Sequence, residues 1–322
     1  MRNSHFTCCL GAALLLTACS SDDDSVQEPA DAPLLPLTIE VAENPYVNTD
    51  EAGSRETRAA IATTSSLTAF QLNYVYGVTA SSEDIQVTAD GNHKWEASGG
   101  GGWPVGGATV VNWYAKSAGD FSNDNGPYID FTMDENASKQ KDLLVAMAAG
   151  SYAGTGGKLS FTFDHACTAL RFYVKKATNM NDYTLTAGQI KLCNVKKNGE
   201  YHYNSSSWSS VKTNADFSLY SGSAKTLGSS EYEALDTSDS PYLFLIPQTL
   251  TAWDATTAIA STDGTYVQLT CTLTRISDSQ QIFSGTAYIP FSANLDAGYQ
   301  HDVKVNIGKN SLFSGPNTLV IQ

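Results

Sequence analysis

The chain has 322 residues, 42% of them hydrophobic and 16% charged, with a formal net charge of -14. That apolar share supports packed cores and argues against disorder, and the length suits two domains of ordinary size. The acidic balance repels phosphate backbones and anionic headgroups, which speaks against nucleic acid as a partner and requires any membrane attachment to be hydrophobic or covalent.

Residues 1–18 read as a signal peptide. Arg2 supplies the positive start, and Phe6 to Leu16 form an uncharged apolar run too short to span a bilayer as a helix. The segment ends Leu16-Thr17-Ala18-Cys19, which resembles the lipobox of bacterial lipoproteins, cut before Cys19 and acylated on its thiol. Each buried methylene contributes about 0.8 kcal/mol, so two or three palmitate-length chains give a durable outer-membrane anchor. The acidic run Ser20-Ser21-Asp22-Asp23-Asp24 looks like the surface-export signal of lipoproteins from Bacteroides-like anaerobes, and it also suits a solvated tether.

Residues 19–58 form an acidic leader, with ten Asp or Glu and two Arg from Ser20 onward. Most of it has a linker composition of Pro, Ala, Asp and Glu. One stretch differs. Leu35, Leu37, Ile39 and Val41 alternate with Pro36, Thr38 and Glu40, a strand with one buried face. Pro36 cannot donate a ladder hydrogen bond, so the strand is expected at an edge or to begin there. Ser54-Arg55-Glu56-Thr57-Arg58-Ala59 then places two arginines in a small polar segment expected to be an exposed loop. Such loops are where proteases nick. A trypsin-like cut after Arg58 would release the leader and its lipid, leaving Ala59 as the new N-terminus. Arg55 is the alternative site.

The body reads as all-β. Val267, Leu269, Cys271 and Leu273 alternate with polar residues; so do Leu159, Phe161 and Phe163, then Leu170, Phe172 and Val174, then Val303, Val305 and Ile307. The parity changes between Phe163 and Leu170, which predicts a bulge or break at 164–168. Asp90-Gly91, Asn198-Gly199 and Asp263-Gly264 are hairpin-turn dipeptides. Many strands with such turns predict two tandem antiparallel β-sandwich domains, divided at the Gly-rich 150–157 stretch into 59–155 and 156–322. The serine-rich Ser205 to Ser240 stretch is expected to be extra loops.

No catalytic constellation emerges. The five histidines make no HExxH pair, and there is no GxSxG elbow and no P-loop. Asp120 to Gly126 hints at a calcium loop but lacks the sixth-position glycine and the distal Glu, so it reads as a turn and no metal or cofactor is expected. Cys167, Cys193 and Cys271 are far apart and odd in number, which reads as buried thiols rather than a disulfide framework. Most tryptophans suit the core, whereas Trp208, among serines with Tyr201 and Tyr203 nearby, is the candidate exposed aromatic.

Taken together, these features resemble the fimbrillins, subunits of type V pili. Trp103-Pro104-Val105-Gly106-Gly107 to Val111-Asn112-Trp113-Tyr114-Ala115 is similar to the family's W-P-x-G…V-x-F-Y-A stretch, with Trp113 where Phe is usual. Asp142-Leu143-Leu144-Val145-Ala146, Phe163-Asp164-His165-Ala166 and Leu245-Ile246-Pro247-Gln248 resemble its D-L-L-V-A, F-x-H-A and I-P-Q signatures, and Tyr299 to Ile307 its final strand. The resemblance implies transthyretin-like sandwiches, a non-enzymatic role, and assembly with other fimbrial subunits after removal of the Leu35 to Val41 strand. A strand from another subunit then fills the open groove by β-augmentation. The implied donor is the C-terminal segment, with Leu312, Phe313, Leu319 and Ile321 as anchors, although this segment is short and interrupted by Gly315-Pro316, which leaves stalk, tip and accessory positions open. The alternative is a surface-tethered lipoprotein that binds glycan or host protein and does not polymerise.

Overall fold

The computed structural model describes residues 35–49, 55–56, 67–77, 79–80, 84–90, 94–98, 102–122, 128–235, 242–255, 264–308 and 318–321. The first strands are β1 (Thr38–Glu43), β2 (Val47–Thr49), β3 (Arg55–Glu56), β4 (Ala69–Tyr76), β5 (Thr79–Ala80), β6 (Ile85–Ala89), β7 (Trp95–Ala97), β8 (Val110–Lys116), β9 (Asp120–Ser122), β10 (Tyr128–Thr132), β11 (Leu144–Ser151) and β12 (Lys158–His165). The later ones are β13 (Thr168–Lys176), β14 (Tyr183–His202), β15 (Ser207–Tyr220), β16 (Lys225–Leu227), β17 (Glu233–Ala234), β18 (Leu243–Leu245), β19 (Gln248–Leu250), β20 (Tyr266–Arg275), β21 (Gln281–Pro290), β22 (Ala293–Leu295), β23 (Tyr299–Ile307) and β24 (Thr318–Ile321). The protein is all-β, as the period-two patterning predicts.

Eight strands form one sheet in the order β5-β4-β6-β7-β1-β12-β11-β8, and β8 pairs again with β4. The path from β4 back to itself is therefore a closed ring. Its core holds Ile39, Phe70, Leu72, Trp103, Trp113, Phe161 and Phe163. The other two large sheets are β21-β20-β14-β10-β9, with β15 and β16 on β14, and β17-β13-β23-β2-β3, with β18 and β24 attached. Leu170, Phe172, Val303 and Val305 from one sheet and Leu185, Ile190, Val267 and Leu269 from the other share a second core. These sheets thus face each other as a sandwich. Both cores lie in one unit that runs from Leu34 to Gln322.

The strand patterns follow the expected parity. In β20, Val267, Leu269, Cys271 and Leu273 are buried and their neighbours are half-exposed. In β12 the alternation is strict, and β13 resumes it after a break at Ala166 and Cys167. The break does more than shift parity: it carries the chain from the ring to another sheet. β12 still belongs to the ring, although it follows the glycine cluster at 150–157.

Two expectations are corrected. Asn198-Gly199 is no turn; it lies inside β14, with Asn198 opposite Thr132 on one side and Lys212 on the other. The glycine serves packing here, since a Cβ on Gly199 would stand 3.0 Å from the Trp208 ring. The serine-rich segment is not all loop either. Ser207 to Tyr220 form β15, because outward positions tolerate serine while Phe217 and Leu219 turn into the core.

Candidate functional site: a groove filled by the leader strand

The alternating leader segment is β1, and it lies in the interior of the ring rather than at an edge. It pairs in parallel with β12, from Thr38↔Lys158 to Glu43↔Phe163, and meets β7 at Ile39↔Trp95. Pro36 stands just before the strand, where its missing N–H costs nothing. Upstream, Leu35 N–H donates to Trp103 O at 3.2 Å, and Leu35 O accepts from Trp103 N–H at 3.0 Å. Gly157 makes room for this approach. Its φ is +82°, a Cβ there would come within 2.9 Å of Pro36 O, and its carbonyl accepts from Thr38 N–H at 2.9 Å and from Trp103 Nε1–H at 3.0 Å.

Ile39 is buried, while Leu35, Leu37 and Val41 are half-buried against the ring core. A fully buried side chain of this size contributes about 1.5–3 kcal/mol, so the four together hold the strand by several kcal/mol gross. The outward face is polar. Lys158 Nζ meets Glu40 at 2.6 Å, and this bond holds the Glu40 carboxyl below its usual range.

Past β1 the leader crosses to the second core. Tyr46 is 3% exposed, and its ring stacks on His165 with centroids 3.7 Å apart. The Tyr46 hydroxyl donates to Asp142 Oδ1 at 2.9 Å. Asp142 Oδ2 contacts His165 Nδ1, and Glu43 Oε1 lies 3.6 Å from His165 Nε2. Asn44 Nδ2 donates to Asp164 Oδ1 at 2.7 Å. A cleft of about 480 Å³ beside these groups is lined by Asn44, Pro45 and Val47 of the leader and by Asp164, Ser206 and Tyr299 of the body. β2 then pairs in parallel with β23 at Val47↔Tyr299 and Asn48↔Gln300. Sequence reading did not single out Tyr46; a lone tyrosine in an Asn-Pro-rich stretch was the available signal.

The other expected sites divide by location. Cys19, Arg58, Ala59, Leu312 and Phe313 lie outside the described residues. Arg55 belongs to β3, which pairs with β2 at Thr49↔Arg55. Leu319 and Ile321 lie in β24, antiparallel to β23 at Val305↔Leu319 and Val303↔Ile321. Asp120 to Ser122 of the candidate calcium loop form β9. Among the described residues, no cluster of His, Cys, Asp and Glu could hold a metal ion.

Trp208 is not an open platform. Its Nε1–H donates to Ala166 O at 2.8 Å, and its ring packs against Tyr201 and Phe131. Tyr201 and Tyr203 are buried as well. Serine neighbours in sequence gave the wrong impression because the contacts come from β10, β14 and the β12–β13 break.

An all-β protein whose ring is completed by its own N-terminal strand β1 is the class of molecule that this geometry defines. The chain belongs to the fimbrillin-like family, whose model matches residues 54–320. Membership makes it a fimbrial protein of the cell surface. Among solved structures, the chain is similar to a fimbrial protein from Bacteroides vulgatus ATCC 8482, at 14% identity and a TM-score of 0.57, over 89% of this chain and 97% of that one. It is also similar to a structure described as a cell adhesion protein from Bacteroides ovatus ATCC 8483, at 15% identity and TM-score 0.50, over 90% and 96%. A third, so described from Parabacteroides distasonis ATCC 8503, has 9% identity and TM-score 0.51, over 88% and 96%. At these identities the likeness shows the fold. A search of curated proteins finds no match.

Proposed function

We propose that this chain is a subunit of a surface fimbria that assembles by strand replacement after proteolysis. It is exported as a lipoprotein on Cys19, reaches the outer-membrane surface, and is cut after Arg58 by a trypsin-like protease. The observation that carries the reading is the position of β1. It completes the ring between β7 and β12, yet every residue of it precedes Arg58 in the chain. Loss of the leader would leave two strand edges and part of a core uncovered, a state that a strand from another subunit relieves. Arg55 sits in a ladder with Thr49, which counts against it as the cut site. The donor segment would carry Leu312, Phe313, Leu319 and Ile321, of which the last two must first leave β23. Trp208 is partly buried, with its indole N–H and ring engaged inside the protein, which counts against a non-polymerising glycan binder built on it.

The test is treatment of the soluble chain 20–322 with a trypsin-like protease, followed by N-terminal sequencing and native mass measurement. A start at Ala59, with oligomers appearing only after cleavage, is the expected result. A resistant Arg58, or a cut chain that stays monomeric with its leader bound, would sink the reading.

A further inference from the structure

The Tyr46 socket is more selective than the rest of the groove. The ring of Tyr46 lies on His165 at 3.7 Å and faces Phe244 at 6.3 Å, while its hydroxyl donates to Asp142 Oδ1 at 2.9 Å. Asp142 Oδ2 is engaged by His165 Nδ1, so one carboxylate is shared between the body's imidazole and the leader's phenol. The side chains of His165 and Asp142 are 1% and 6% exposed. Burial first, and the Asp142 charge next, push the Tyr46 phenol well above its ordinary range, so it stays protonated and donates.

The socket therefore asks two things of an occupant: a flat ring for His165 and a donor for Asp142 Oδ1. A leucine meets neither demand. A phenylalanine supplies the ring but leaves a buried acceptor without a donor, which is costly at a carboxylate so little exposed. A tyrosine meets both. The candidate donor Ser311 to Gln322 contains Phe313 and no tyrosine.

Resting on the strand-replacement reading above, we propose that the vacated groove selects a strand with a tyrosine seven positions after the side chain that takes the place of Ile39, and that this strand comes from a different subunit rather than from the Ser311 to Gln322 segment of another copy. The leader is then a template for the partner: it presents the side-chain pattern that the incoming strand reproduces.

The experiment uses chain 20–322 nicked after Arg58 and four fluorescent peptides. These are the leader sequence 34–49, its Tyr46→Phe and Tyr46→Leu forms, and the segment 311–322. Displacement of the leader is followed by anisotropy and native mass. The tyrosine peptide is expected to bind on the order of tenfold or more tightly than its Phe and Leu forms, and more tightly than 311–322. Equal binding by the Tyr, Phe and Leu peptides overturns the socket inference and leaves strand replacement standing. Tighter binding of 311–322 than of the tyrosine peptide overturns the assignment to a different subunit. No exchange by any peptide overturns both this inference and the reading on which it rests.

Discussion

Trp208 sits among serines in the chain, and its indole is nonetheless held by a hydrogen bond to Ala166 O and by two aromatic rings. Its role is structural, so Trp208→Ala should cost about 2–4 kcal/mol in urea unfolding and leave binding to carbohydrate arrays unchanged. Lost sugar binding at unchanged stability would return it to the surface-platform role. The three free thiols among the described residues carry a second residue-scale consequence. Burial raises Cys193 to about 12 and Cys271 to about 11, and it raises Cys167 well above its usual range too. The unfolded chain releases these protons near pH 9, while the folded chain keeps them. The folded state thus binds more protons across pH 9 to about 11–12. Its stability from this source is complete below pH 9 and falls as pH rises through that window. For Cys271 the loss is on the order of 2 kcal/mol. Cys271→Ala should flatten the fall of the urea midpoint between pH 9 and 11, and an unaltered slope would contradict this account.

At the scale of the element, parity was legible and partnership was not. Leu35 to Val41, Leu159 to Phe163 and Val267 to Leu273 alternate because each strand buries one face, and a face is a property of the strand alone. That β1 lies beside β12 depends on residues about 120 positions away, which no local pattern encodes. The turn dipeptides show the same limit. Asp263-Gly264 and Asn198-Gly199 look alike in sequence, yet Gly264 stands two residues before β20 while Asn198 is paired on both sides within β14. Gly264 has φ +98°, and a Cβ there would stand 2.4 Å from Trp253 Cα. Gly264→Ala combines left-handed strain with a backbone clash and should cost more than about 2 kcal/mol in the urea midpoint. A cost near zero would mean that the backbone at Gly264 relaxes freely.

Across the molecule, the leader joins the two cores: Ile39 belongs to the ring core and Tyr46 to the sandwich core, and β2 continues onto β23. The candidate site was half legible for this reason. The four alternating apolar side chains announced a buried strand, whereas the Tyr46 contact joins residues about 100 and 120 positions apart. This arrangement fixes which parts of the body depend on the leader. β11 pairs with β12 at Asp164 and His165, so Lys158 to Phe163 have their register partners in β1. β14, by contrast, pairs with β10, β15, β16 and β20 and, among the described residues, with no strand of the leader. Removal of residues 20–58 from the nicked chain should therefore raise amide hydrogen exchange in Lys158 to Phe163, in β7 and at Tyr299 to His301, while β14 and β20 keep their protection. An added strand that refills the groove should restore protection first in Lys158 to Phe163, since those amides have no other described ladder. Persistent protection there after the leader has gone would mean that the ring closes on itself without β1, and a body that closes in this way offers no groove for a neighbour.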